Sequence, residues 1–398
     1  MKIFIVLQTP LTVHDGRRIR TDLLVQACID YEFIDASGIL FPALQKSDQP
    51  WAGLPTTLVE NSEKLQQVCN RITNQDLVIF LGGVYPGQIE KPDSVYQALA
   101  RTSAKLGAIN VVHIPLHIQP DAPFHAKFIR RVRQSPIAWW EFLSQRFARQ
   151  IIRMTVREHT LRSLDFVWAG TMVAPISSKI INTNTRIRYI HTYDYEDAKS
   201  CQLSSVDEKG YIVLLDSMGP AGPDHGVIGK KTYRMSEIEY YRELRAALAT
   251  IADSASKEII VAAHPRAKMG TLDSSLRPFK VKYGMTPELI SQAKLVLDPS
   301  FSAGVSFAVM SRVPIVFLSS HQFGASVESG QKTLVNLLKT FKVSLCDVSK
   351  FDWNNLTVDT DSYVKYENTF IKREGSLEEP FWQQVIQDIR QAAGLNSP

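Results

Sequence analysis

The sequence predicts an α/β protein of two Rossmann-like domains, each built on a parallel sheet. Three observations predict it. Short apolar runs such as Ile3–Leu7, Leu77–Leu81 and Tyr211–Leu215 have the length and composition of strands buried on both faces. Segments with helical spacing separate these runs, which is the pattern of parallel strands joined by crossover helices. At 398 residues the chain is too long for one ordinary core, and the alternation runs twice.

In chain order, Ile3–Leu7 is the first strand, and Thr21–Tyr31 has helical spacing with Thr21 and Asp22 able to cap it. Leu77–Leu81 is a strand stopped by Gly82-Gly83, Val95–Leu106 is amphipathic, and Ile109–Pro115 is strand-like. Phe128–Ser163 reads as one or two long helices, and Phe166–Gly170 and Ile187–His191 as strands. Asp194–Gly210 is polar, carries no apolar period and reads as a linker. The alternation then restarts with strand Tyr211–Leu215, a Gly/Pro loop over Gly219–Gly229 and helix Ser236–Asp253. Strand Glu258–Ala263, helix Pro287–Ala293, strand Leu295–Leu297, helix Phe301–Ser311, strand Pro314–Leu318 and helix Gln331–Phe341 follow. The last element, Glu378–Ala393, is amphipathic, with Phe381, Trp382, Val385, Ile386 and Ile389 in one stripe. These breaks place a first domain over 1–195, a linker over 196–210, a second domain over 211–375 and a terminal helix over 376–398.

Composition narrows the class. Apolar content of 44% and charged content of 21% suit a soluble globular protein. A net charge of +5 is too mild to indicate a nucleic-acid binder. The basic residues crowd 127–162, where Lys127, Arg130, Arg131 and Arg133 precede Trp139 and Trp140; such a stretch suits peripheral contact with an anionic membrane, an acidic glycan or plain solvation. Cys28, Cys69, Cys201 and Cys346 have no metal-ligand spacing and read as free thiols of a reducing compartment. The N-terminus runs straight into a strand without a signal-peptide pattern, and no apolar run approaches the ~20 residues of a membrane span. The expected location is therefore cytoplasmic, at most peripheral to the inner membrane.

The chemistry concentrates at two strand-to-turn junctions. Ile259–Ala263 ends abruptly in His264-Pro265-Arg266, and Leu295–Leu297 ends in Asp298-Pro299-Ser300-Phe301-Ser302-Ala303-Gly304. Carboxyl ends of parallel strands are where open α/β sheets bind ligands. A helix opening on Ser and Gly offers amides, hydroxyls and a positive dipole end to a phosphate. An imidazole titrates near working pH and can assist a leaving phosphate, while a guanidinium neutralises it. The expected nucleotide contacts are therefore His264, Pro265, Arg266, Ser300, Ser302, Ala303 and Ser306, with His264 also catalytic. Asp216, at the end of the second domain's first strand, could deprotonate an acceptor hydroxyl, hold a sugar or simply form a turn. His191 and Asp194, just before the linker, could supply the base or tie the linker in place. A Walker loop, a G-x-G-x-x-G after the first strand and an Asp-x-Asp at a strand end are all missing, so the expected reaction uses no metal and no cofactor.

Several segments resemble known enzymes. Gly16–Leu24 after the first strand is similar to the first loop and helix of GT-B glycosyltransferases, and Pro287–Val296 leading to Ser300–Ala303 and Arg312–Ile315 resembles their phosphate-binding half. More narrowly, His264-Pro265 followed by a Ser-rich turn resembles bacterial sialyltransferases and capsule Kdo transferases, which use CMP-activated sugars. Tyr189–Glu196 and Leu214–Asp216 resemble surface-polysaccharide glycosyltransferases. The resemblance implies a GT-B arrangement, two domains facing a cleft, with the terminal helix crossing back to the first. It implies transfer of a sugar, for example a nonulosonate such as Kdo, sialic, pseudaminic or legionaminic acid, from a nucleotide-activated donor to a growing surface glycan or lipid-linked glycan. The chain departs from the sialyltransferases in lacking their acidic pair before glycine, so the base stays open among Asp216, His191 and Asp194. A UDP-hexose transferase, a sugar-nucleotide 2-epimerase and a non-catalytic glycan-binding module share the same arrangement.

Overall fold

The computed structural model describes residues 1–11, 19–40, 53–82, 84, 94–111, 161–171, 178–202, 210–222, 233–265, 267 and 270–392. The basic stretch 127–160, Arg266, Gly83 and the loop 223–232 lie outside the described residues.

Two all-parallel sheets carry the fold. The first comprises β1 (Lys2–Leu7), β2 (Asp30–Asp35), β3 (Thr56–Leu58), β4 (Leu77–Leu81), β5 (Lys105–Asn110), β6 (Phe166–Ala169) and β7 (Arg186–Tyr189), in the order β3-β2-β1-β4-β5-β6-β7. The second comprises β8 (Tyr211–Leu215), β9 (Ile259–Ala263), β10 (Lys280–Tyr283), β11 (Ala293–Asp298), β12 (Ile315–Ser319) and β13 (Phe341–Ser344), in the order β10-β9-β8-β11-β12-β13. Both sheets follow one plan. The chain steps outward twice from its first strand, returns to that strand's other side and steps outward again. Each sheet therefore has a switch point, β1/β4 in the first and β8/β11 in the second, where the crossovers leave in opposite directions.

Strand side chains sort by the two-residue period. Phe4 and Val6 join one core layer, while Ile3, Ile5 and Leu7 join the other. Ile212 and Leu214 pack with the long helix Glu237–Ala255, and Val213 and Leu215 with the opposite layer. That long helix starts at a capping box, in which Ser236 and Glu239 satisfy each other's exposed amides.

The helix Phe381–Ala392 packs on the first sheet, as the resemblance implies. Phe381, Trp382, Val385, Ile386 and Ile389 share a layer with Ile3, Ile5 and Trp168. Asp388 fixes its register, accepting from Trp168 Nε1 (2.8 Å) and pairing with Arg188 (2.6 Å).

Several expected elements are corrected. The helix predicted over Thr21–Tyr31 stops at Gln26 because Cys28 turns left-handed (φ 53°), and β2 follows. The helix predicted to Leu106 ends at Ala100, and β5 starts at Lys105. The linker predicted from Asp194 is a helix, Tyr193–Gln202, whose Tyr195 and Ala198 pack on the second sheet. The helix predicted over Gln331–Phe341 runs over Ala325–Leu338; Lys339 turns left-handed and β13 begins at Phe341. No helix among the described residues is long and apolar enough to cross a membrane.

Candidate functional site

The carboxyl ends of β9, β8 and β11 lie side by side in the second sheet, and β8/β11 is its switch point. Each end carries a polar group singled out in the sequence: His264 after β9, Asp216 after β8 and the Ser-rich turn after β11.

Asp298 organises the Ser-rich turn. Its carboxylate is fully buried, and each oxygen accepts two bonds. Oδ1 receives the Ser300 amide (2.7 Å) and hydroxyl (2.9 Å), and Oδ2 receives the Ser302 amide and hydroxyl (both 3.1 Å). Burial pushes its carboxyl upward from the ordinary range, against the pull of these four donors. This side-chain turn competes with the helix, so the helix predicted over Phe301–Ser311 spans only Val305–Met310. The hydroxyl protons expected to meet a phosphate are thus directed inward at Asp298. The amides of Ala303 and Gly304 find no acceptor among the described residues. Gly304 is closely approached: a Cβ there would stand 3.1 Å from a methyl of Leu215, the last residue of β8, and that side chain would have to shift. Ser306 is buried inside the helix with its hydroxyl on Tyr366.

Asp216 plays the same part on β8. It is 4% exposed, and its Oδ1 accepts the Met218 amide (3.0 Å) and the Tyr241 hydroxyl (3.3 Å). Its Oδ2 faces the His264 amide at a longer 3.5 Å, so one carboxylate spans the ends of β8 and β9. Burial raises its carboxyl to about 6; the amides of Met218 and His264 and the Tyr241 hydroxyl oppose that rise. The loop it holds turns sharply, with Met218 and Gly219 both left-handed (φ 59° and 44°). Gly219 is irreplaceable on space as well, since a Cβ would meet the Tyr240 ring at 2.5 Å.

An aromatic wall backs this loop. Tyr233, Tyr240 and Phe323 make edge and tilted contacts at 5.3–5.9 Å between centroids. Burial holds the hydroxyls of Tyr233, Tyr240 and Tyr241 above the ordinary range, with Asp216 adding to each. Sequence reading missed this wall and the organising role of Asp298. A signal for the latter existed: an aspartate at a strand end with hydroxyl residues two and four positions later.

His264 is partly exposed beside the exposed Pro265, and its carbonyl accepts the Ala267 amide (2.8 Å). His191 and Asp194 are not part of this group. His191 is 0% exposed; its Nε2 donates to the Glu379 carbonyl (2.9 Å) and Nδ1 lies 3.2 Å from the Thr192 carbonyl. Asp194 is buried near Tyr366. Both sit where the chain passes between the sheets. There the Thr192 amide donates to Ile371 (2.9 Å), the Phe381 amide to Glu196 (2.6 Å) and the Tyr195 hydroxyl to Glu378 (2.5 Å).

No family model and no curated protein matches the sequence. Among solved structures, the chain is similar to UDP-GlcNAc 2-epimerase from Methanocaldococcus jannaschii, at 14% identity and TM-score 0.44 over 98% of this chain and 100% of that one. It is similar to CalG4, the calicheamicin glycosyltransferase, at 12% identity and TM-score 0.49 over 100% and 99%. It is also similar to Acinetobacter baumannii MurG, at 8% identity and TM-score 0.44 over 98% and 99%.

Proposed function

We propose that the chain is a glycosyltransferase that takes a nucleotide-activated sugar on its second domain and an acceptor glycan on its first. One observation carries the reading: His264, Asp216 and the Ser300–Gly304 turn come from three adjacent strand ends and meet at the β8/β11 switch point. The amides of Ala303 and Gly304 are donors for a phosphate, and the partly exposed His264 is a donor for the oxygen that carries the leaving charge. These groups hold phosphate charge without a metal ion, so the reaction is metal-independent in this reading. His191, Asp194 and Asp216 are buried and engaged, and in this reading they frame the site rather than take the acceptor's proton. The donor is a CMP-linked nonulosonate or a UDP-linked hexose.

Thermal-shift measurements with CMP, UDP, GDP and dTDP test the donor, because a ligand that binds only the native state raises stability by about 2.7 kcal/mol at a hundredfold excess over Kd. Incubation of the stabilising nucleotide's sugar conjugates with and without glycan acceptors then tests the reaction. Acceptor-dependent transfer is the expected result. Epimerised sugar nucleotide formed without acceptor would replace this reading with a 2-epimerase, and binding without any turnover would replace it with a glycan-binding module.

A further inference from the structure

The geometry points to Asp216 as a positioning residue that sets the His264–Pro265 turn from the neighbouring strand, rather than as a base that meets substrate. The inference deepens the proposed function and rests on it for its ligand-binding consequence. Asp216 is 4% exposed, so an acceptor hydroxyl has no path to its carboxylate. Its oxygens face the amides at both strand ends, Met218 after β8 at 3.0 Å and His264 after β9 at 3.5 Å. Tyr241, from the helix behind the sheet, donates to Oδ1 at 3.3 Å and occupies the remaining side. The ionisable groups around it are Tyr241, Tyr240 and Tyr233 on that aromatic wall, Glu237 at the start of the same helix, Tyr283 on β10 and His264 itself. Burial is the main cause that raises Asp216, and the Glu237 carboxylate adds to it. When it is ionised, two loop amides and a phenol point at it. When it is protonated, both amides lose a charge-assisted acceptor, and the His264 turn loses the charge that ties it to the end of β8.

The test has a ligand-free arm and a ligand arm. In the ligand-free protein, the backbone amide resonances of Met218 and His264 should shift together with pH, with one midpoint near 6, and Asp216→Asn should abolish both shifts. A His264 amide that does not follow Asp216 would overturn the inference. In the ligand arm, at pH 8, whichever of UDP and CMP the wild-type protein binds should bind about tenfold more weakly to Asp216→Asn. His264→Ala should lose a similar factor, and the double variant should lose no more than the larger single loss. Additive losses in the double variant, or wild-type affinity in Asp216→Asn, would also overturn it. If wild-type protein binds neither nucleotide, the proposed function fails, and the amide titration alone decides the role of Asp216.

Discussion

Asp216→Asn should change the pH dependence of stability in a direction opposite to that of an ordinary surface carboxylate. Burial is the main cause that pushes the folded carboxyl up to about 6, against 3.8 for an ordinary aspartate. Between those values the folded protein keeps a proton that the unfolded chain has released. Stability therefore falls as pH rises from about 4 to about 6, and the deficit stays constant above that. Each pKa unit corresponds to about 1.4 kcal/mol, so the deficit at pH 8 is on the order of 3 kcal/mol. Because the group is almost fully buried, solvent screening discounts this little. Asparagine keeps an acceptor for the Met218 amide and the Tyr241 hydroxyl but cannot ionise, so the variant lacks this slope. Its amide nitrogen facing the His264 amide adds a penalty that does not depend on pH. Urea melts of both proteins at half-unit steps from pH 4 to 8 measure the difference. Relative to the variant, wild type should lose about 3 kcal/mol across the window, or roughly 6–12 °C of Tm in a domain of this size. A difference that stays flat, or that shrinks as pH rises, would refute the assignment of a raised carboxyl to Asp216.

Other outcomes follow from the same geometry. His264→Ala should fold like wild type and transfer sugar about 10²–10³ more slowly, the usual loss for one donor to a developing anion; wild-type turnover would remove it from the site. Ser302→Ala should cost only about 1 kcal/mol, since Asp298 keeps the Ser302 amide, whereas Asp298→Ala should cost several times more by orphaning two amides and two hydroxyls; equal melting shifts for the two variants would contradict the turn described here. Transfer activity should survive EDTA, and complete loss restored by Mg²⁺ or Mn²⁺ would overturn the metal-free reading. Trp382→Ala should destabilise the first domain by about 3–5 kcal/mol while leaving denaturation of the second domain nearly unchanged; a change confined to the second domain would refute the docking of the terminal helix.

How far the sequence was legible depended on whether pattern and environment agreed. β1, β4, β8 and β9 are uninterrupted apolar runs, so both sheets and the paired-domain plan could be read directly. β2 could not, because Glu32 interrupts its run. In the fold that carboxylate is buried but held by Lys2 (2.7 Å), Arg71 (2.7 Å) and Thr57 (2.6 Å), and it stays ionised down to about 2. Its partners come from 25 to 39 residues away, so no local pattern announces them. β10 was missed for a similar reason: as an edge strand it alternates Lys280 and Lys282 with Val281 and Tyr283, which reads as loop. At the site, the positions of His264, Asp216 and the Ser-rich turn could be read, since each ends an apolar run. The direction of the serine hydroxyls could not, because it is set by which buried acceptor competes for them.

The passage between the two sheets explains why His191 looked like a site residue. The chain leaves β7, and the next helix, Tyr193–Gln202, sends Tyr195 and Ala198 into the second sheet's core, while its Tyr193 and the last helix join the core of the first. Each domain thus carries an element from the other's stretch of sequence. The two connecting segments pass each other and exchange the bonds of Thr192 with Ile371, His191 with Glu379, Glu196 with Phe381 and Tyr195 with Glu378. A polar residue beside such a passage is held by backbone from a distant part of the chain. That gives it the same cluster of histidine, aspartate and tyrosine that a catalytic base would show. Exposure separates the two: the ring of His191 is closed off, whereas His264 is partly exposed at a strand end.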